Sequence, residues 1–318
     1  MGLYRSVRAV TGASGDGPID WTAVADAAKS STDAGSLDLS AAEEDGYATD
    51  VRDARDRVRT VADIDFDLPD RVEILNRHHW IDNNVDTFGR VMEPLEETVG
   101  LVPGVARVVN TGSMSVALGF LARNVLGQYD PLLLAEGDIA DDHALYFVHP
   151  NIEKVAGTLD ADGDRFRRWI AFHEVAHAAE FGAAPWLSTH LEEKMETAVQ
   201  SLTEGNFDRD LLTEIDTTMT AVEGYAELIM DRAFDEEYAD LRTELEARRQ
   251  GRGPVQTLFR RALGIDRKRK QYERGKDFFD AVADERGVAA AGRVWDAPEN
   301  LPTDEEIETP QLWLDRVA

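Results

Sequence analysis

Apolar positions along this chain recur mainly at helical spacing. Residues 20–31 predict a short helix. Ser40-Ala-Ala-Glu43 has the spacing of a capping box, in which a serine hydroxyl and a glutamate carboxylate each accept a backbone N–H, and it opens a highly charged helix to about Val61. The alternating charges of that helix predict a solvated face. Ile81, Val85, Phe88 and Met92 line one side of a further helix. Met114, Ala117, Leu118, Leu121 and Val125 line another, ahead of Gly127. The first 130 residues are therefore expected to be mostly helical.

The pattern then changes. Residues 132–135 and 144–148 are short apolar runs bounded by Pro131, Gly137, Asp141 and Pro150, which suits two strands. They lead into a helix capped by Asp162 or Asp164 and running through Phe181, with Gly182 and Pro185 as its stop. Ser188 is the expected cap of the next helix, with Leu187, Leu191, Met195 and Leu202 on one face. A third long helix covers about 210–234 and continues past a kink over 235–249, before Gly251-Arg-Gly-Pro254 breaks the chain. Two or three helices follow. The acidic, proline-bearing end at 295–313 keeps spaced Trp, Ile and Leu, so it is expected to pack back on the body. The predicted fold is mainly α with a small β element (α+β). We expect a helical N-terminal lobe over 1–130 and a second lobe over 131–318, forming one integrated unit.

Composition narrows the setting. The net charge of -28 comes from 62 acidic against 34 basic residues, and only six of the basic ones are lysine. Such a surface repels itself in dilute buffer, whereas molar salt shortens the Debye length to about 3 Å, so a halophilic cytoplasm is the expected home. Nucleic acid is an unsuitable partner, because binding it takes a basic face that displaces counterions. Cysteine is absent, which removes disulfides, thiolate nucleophiles and Cys-type zinc sites together. The glycines at 12–17 have no preceding strand and no following Lys-Ser/Thr, so they predict a flexible lead-in and not a phosphate loop. Without an apolar signal core or a run of about 18 apolar residues, a cytoplasmic protein with no membrane partner is expected.

The chemistry concentrates in His173-Glu174-Val175-Ala176-His177. Residues i and i+4 share a helix face, so the two imidazoles can offer ring nitrogens to one zinc ion, while Glu174 faces water at that ion as general base and then acid. Iron or manganese would also accept His and carboxylate donors. The flanking Ile170, Ala171, Phe172, Val175, Ala176, Ala178 and Ala179 are uncharged, as a buried metal helix requires. Two ligands are too few for a catalytic zinc. Ala183 stands where the metzincin pattern has its third His, and Glu180 lies two turns, about 10 Å, along the axis from His173. Glu223 is the leading third ligand, with Glu227 one turn on to orient a ligand histidine and Gly224 to let two helices approach. His190, His143 and His149 are the alternatives, and Tyr225 or His190 are candidates to steady an oxyanion.

A motif helix followed by a helix with Glu-x-x-x-Glu is similar to the gluzincin arrangement. Longer stretches extend the likeness: Asn76-Arg-His-His-Trp80, Val125-Leu-Gly-Gln-Tyr-Asp130, Phe147-Val-His-Pro-Asn-Ile152, residues 169–181, Pro185-Trp-Leu187, Glu223-Gly-Tyr-Ala226, Gln271-Tyr-Glu-Arg-Gly275 and Trp313-Leu-Asp-Arg316. With these the chain resembles the zincin-like hydrolases known as coenzyme F(420) biosynthesis associated proteins, from about residue 70 to the C-terminus. The resemblance implies a mainly helical zincin-like metallopeptidase fold found in actinobacteria and haloarchaea, and the haloarchaeal branch agrees with the charge. Where relatives often carry His after Glu-Gly, this chain has Tyr225. The expected activity is zinc-dependent hydrolysis of a peptide, or of a small amide or ester. The competing expectation is a noncatalytic zinc-binding accessory protein of coenzyme F(420) biosynthesis. Arg260, Arg261, Arg267, Lys268, Arg269, Lys270, Arg274 and Lys276 form a basic run, read as a solvated face or a partner for surplus carboxylates, with an anionic coenzyme as the sharper alternative.

Overall fold

The structure is a computed structural model and describes residues 19–98, 105–130, 143–203, 206, 208–234 and 265–317. The glycines at 12–17, the strand expected at 132–135, the continuation at 235–249, the break at 251–254, and Arg260 and Arg261 lie outside the described residues. So do the side chains of Leu202 and of 267–270.

In chain order the elements are α1 (Trp21–Ser31), α2 (Ala41–Ala62), β1 (Arg71–Leu75), α3 (Arg77–Thr98), α4 (Val105–Ala122), β2 (Gly127–Asp130), β3 (Ala144–Val148), α5 (His149–Leu159), α6 (Gly163–Ala183), α7 (Trp186–Thr203), α8 (Arg209–Ala233) and α9 (Ile265–Arg286). Short helices α10 (Val288–Gly292), α11 (Asp304–Glu308) and α12 (Pro310–Val317) follow, with single 3-10 turns at Arg293–Trp295 and Pro298–Asn300. The fold is mainly α with one small sheet.

The chain divides into two compact units that are not contiguous in sequence. One comprises Met1–Leu39, Pro69–Val155 and Met195–Asp208. It holds the sheet, in order β1-β3-β2, with β1 parallel and β2 antiparallel to β3. All five residues of β3 are buried, as a central strand covered on both faces requires. Leu75, Trp80, Ile81, Leu118, Ala122, Tyr146 and Val148 pack with Val24 and Ala28 of α1 into its core. The Trp80 indole donates to Gln128 (2.7 Å), and the Gln128 amide donates to Asn84 (2.9 Å), which ties α3 to β2. The described part of the first 130 residues is mostly helical, as expected, with two short strands that the expectation did not include. β1 carries charges at Arg71 and Glu73, and β2 opens on glycine; both owe their conformation to the ladder with β3 and not to their own composition.

The other unit comprises Ser40–Leu68, Ala156–Lys194 and Arg209–Ala318. The capping box forms as expected: Ser40 Oγ accepts from the Glu43 N–H (3.3 Å), and Glu43 Oε2 accepts from the Ser40 N–H (2.7 Å). The solvated face expected of α2 is only part of its surface. Asp50 is buried and accepts from Arg167 Nε at 2.7 Å, Arg168 lies 3.5 Å from its other oxygen, and Asp53 pairs with Arg168 as well. These ion pairs join α2 to the first turns of α6.

α6 runs through Gly182 to Ala183, past its expected stop. Glycine is needed there for space, since a Cβ on it would come within 2.9 Å of Phe66 Cβ. The next helix starts at Trp186, immediately after Pro185, so Ser188 sits inside its first turn and is not its cap. As expected, the C-terminal end packs back. Trp295 and Trp313 are buried, Trp313 meets Phe278 of α9 edge-on at 5.6 Å, and its indole donates to Asn300 O at 2.7 Å.

Candidate metal centre

α6 is built to be surrounded. Asp162 caps it by accepting from the Arg165 N–H (2.9 Å), and Phe166, Ile170, Ala171, Phe172, Val175, Ala176, Ala178 and Ala179 are buried over most of its circumference. Into this apolar sleeve the sequence sets two imidazoles one turn apart. The Trp169 ring lies nearly parallel to His173 at 5.9 Å, and the two histidine rings meet edge-on at 4.6 Å.

α8 supplies the third group. One donor atom each from His173, His177 and Glu223 lies within 4.8 Å of the others, the one such group of three found among the described residues. The His173 and His177 Nε2 atoms are 3.3 Å apart. Glu223 Oε2 stands 4.0 Å from the first and 3.8 Å from the second. A tetrahedral zinc bound at about 2.0 to 2.1 Å sets its ligand atoms about 3.3 Å apart, so the group needs only a slight contraction to hold one ion. Glu223 Oε2 is also buried without a hydrogen-bond partner. A carboxylate oxygen left in that state is costly, and a cation between it and the two nitrogens would satisfy it.

The electrostatics agree. Burial opposes a charge on His177, but the hydrogen bond it donates to Glu180, then the charges of Glu180, Glu223 and Glu174, outweigh it and push the imidazole up to about 10. Burial raises Glu180 to about 7 against the pull of His177. The charged neighbours weighing on His177 are carboxylates, so the cluster draws positive charge, whether a proton or a metal ion.

Sequence reasoning missed the residue that orients His177. Glu180 Oε2 lies 2.8 Å from His177 Nδ1, and Glu180 is fully buried. Its hydrogen bond keeps a proton on Nδ1, so that the nitrogen which gives up its proton to an ion is Nε2, facing His173 and Glu223. The role expected of Glu227 toward a ligand histidine thus belongs, for His177, to Glu180. Three residues on a helix suffice for a side-chain contact, so the spacing carried the signal, but Glu180 had been weighed only as a direct ligand. Glu227 is half-buried one turn beyond Glu223.

Gly224 does not serve the approach of α8 to α6. A Cβ there would fall 2.4 to 2.6 Å from the backbone of Gly275, so its neighbour is α9. Glu174 is buried beside His173, and its charge reaches His177. Tyr225 is buried among Phe279 and Trp295, its ring centroid 5.4 Å and 5.5 Å from theirs, and its hydroxyl has no hydrogen-bond partner. His190 packs edge-on against Trp186 at 5.8 Å, and burial lowers its pKa. His143 bonds the Tyr129 hydroxyl, and His149 opens α5; none of these three histidines is in the donor group.

Comparison with known proteins places this geometry. No curated protein matches the chain. A crystal structure from Chloroflexus aurantiacus, of a protein put forward as a hydrolase with a novel fold, matches with a TM-score of 0.71 and 29% identity, covering 99% of this chain and 97% of that one. The family profile of zincin-like metallopeptidases matches residues 19–207 and 199–314, a span that takes in α6, α8 and all three donors. Two helices that bring His173, His177 and Glu223 together therefore occur in a chain that belongs to the zincin-like metallopeptidase family.

Proposed function

We propose that the protein is a zinc-dependent hydrolase, a metallopeptidase that cleaves amide bonds with an activated water. The observation that carries this reading is the convergence of His173 Nε2, His177 Nε2 and Glu223 Oε2 from two helices, with the far nitrogen of His177 held by Glu180. These three residues would hold the ion. Zinc bound there supplies Lewis acidity, polarising a substrate carbonyl and lowering the pKa of water towards 7. Glu174 takes the proton from the attacking water as the new C–O bond forms, and returns it to the departing amide nitrogen as the C–N bond breaks. Glu180 keeps His177 in one tautomer throughout. The uncharged neighbours of the motif exclude competing water and strengthen each electrostatic contact.

The test is elemental analysis of protein purified in molar salt, wild type beside His177→Ala and Glu223→Ala. One zinc per wild-type chain and its loss from both variants is expected; equal metal in all three removes the proposed ligands. Glu174→Gln should keep the zinc and lose hydrolysis by about 10²- to 10⁴-fold. Peptide libraries run against small amides and esters of a coenzyme pathway distinguish the substrate classes. Zinc retained with no hydrolysis of either class, and a biological role that survives Glu174→Gln, would assign a noncatalytic accessory function instead.

A further inference from the structure

Each helix of the metal centre opens to solvent along one row of side chains. Between residues 169 and 180 of α6 every residue is buried except Trp169, His173 and His177, which stand four apart and share a face. Between residues 217 and 230 of α8 the same holds for Met219, Glu223 and Glu227. The three donor side chains are 14 to 17% exposed, so the cluster is reached from outside and is not sealed in a core. Whatever approaches an ion there passes these two rows. Among the six residues, Trp169 alone offers a broad, flat apolar face. Its ring stacks on His173 at 5.9 Å with 10° between the planes, and buried Phe166 stacks on it in turn at 6.2 Å and 14°. Two ring contacts thus hold the indole beside a ligand imidazole, and the residue is still partly exposed. A surface held in place in this way binds without a large ordering cost. Charge narrows what it can bind. Glu174, Glu180 and Glu223 already crowd the cluster with carboxylates. An anionic substrate meets like charge there, whereas an apolar side chain next to the cleaved bond meets the indole.

We infer that Trp169 is a specificity-determining residue of this site: its indole receives an aromatic side chain adjoining the amide to be cleaved, so the substrate is an apolar peptide and not an anionic coenzyme. This rests on the zinc hydrolase reading above and names a substrate class for it. Trp169 takes part in no bond-making step. It sits one helical turn before His173 on the row that carries both imidazoles, so a ring stacked on it lies within a few ångströms of the groups that act on the amide.

The experiment loads the protein with cobalt(II) in molar salt and titrates it with three hydroxamates that share one metal-seeking end: acetohydroxamate, 3-phenylpropionohydroxamate and the monohydroxamate of succinate. The visible cobalt bands read each affinity without turnover. Wild type is expected to bind the phenyl probe roughly tenfold tighter than acetohydroxamate, and the carboxylate probe no tighter than acetohydroxamate. Trp169→Ala should lower the phenyl preference roughly fivefold while holding acetohydroxamate within about twofold, and Trp169→Phe should keep most of it. A nitro group on the phenyl probe should quench indole emission more in wild type than in Trp169→Phe, a measurement that decides the matter even where Trp169→Ala takes up no cobalt. A phenyl preference near unity in wild type, a preference unchanged in Trp169→Ala, equal quenching in wild type and Trp169→Phe, or tightest binding of the carboxylate probe each overturns the inference. Wild type that takes up no cobalt would instead overturn the metal reading itself, so the two failures are distinguishable.

Discussion

The two ends of α6 bury charge in opposite ways. At its start, Arg167 and Arg168 are nearly enclosed, and Asp50, Asp53 and Asp164 neutralise them at short range. At its far end His173 and His177 are met by Glu174, Glu180 and Glu223, and the charged groups that bear on His177 among the described residues are all carboxylates. The first end is electrostatically complete and fastens α6 to α2. The second carries an excess of carboxylates, which a divalent ion held by His173, His177 and Glu223 would offset. Buried charge alone therefore does not mark a functional site; a buried imbalance does.

The strongest way to break this comparison is to unbalance the first end. Asp50→Ala leaves two guanidinium groups short of a buried partner and is expected to cost about 3 kcal/mol. Denaturant unfolding in molar salt measures it, and zinc stoichiometry should not change. Glu223→Gln is the converse arm: it removes a carboxylate whose Oε2 has no partner, so the metal-free protein should lose no stability while its zinc is lost. A comparable loss of stability in the two variants would erase the distinction.

Proton competition sharpens the second end. His177 must give up its proton to bind an ion, and its pKa is raised from the ordinary 6.5 to about 10. The proton is therefore held throughout the neutral range, and zinc affinity should rise about tenfold per pH unit from pH 6 to 8 for each proton displaced. The same shift has the opposite sign for the metal-free fold. A raised imidazole pKa stabilises it below the unfolded value of about 6.5, and that contribution is lost as pH climbs towards 10. Isothermal titration in buffers of different ionisation enthalpy counts the released protons, and a flat profile would show that His177 binds no metal. The smallest effect is expected at the cap. Asp162→Ala should lower stability by about 1 kcal/mol and leave zinc affinity within about twofold, because it loosens only the N-terminal turn.

Much of this was legible in the sequence, for identifiable reasons. The capping box at Ser40, the cap at Asp162 and the i,i+4 histidines are local patterns, which helices express faithfully, while Glu223 was reached from its own helical Glu-x-x-x-Glu spacing and the need of a two-histidine site for a third ligand. β1 and β2 were not legible because their pairing with β3 is non-local. Asp50 was hidden in a helix whose alternating charges look alike, and only the approach of α6 singles it out. Glu180 was visible as a residue and misjudged as a role: distance along the axis disqualifies it as a ligand of the ion, but not as the hydrogen-bond partner of a ligand. Gly224 announced a close helix contact without naming the partner, which only the folded chain reveals as Gly275.

That glycine pair has a consequence for how the donor from α8 can evolve or be engineered. A Cβ on Gly275 would stand 2.3 Å from Thr220 O and 3.0 Å from Gly224 Cα, so main chain rests on main chain one residue from Glu223. Contacts between side chains drift as residues are exchanged, whereas this seat has no side chain to exchange. The outward surface of both helices is thus at liberty to vary, while the depth at which the glutamate enters the cluster stays set by peptide thickness.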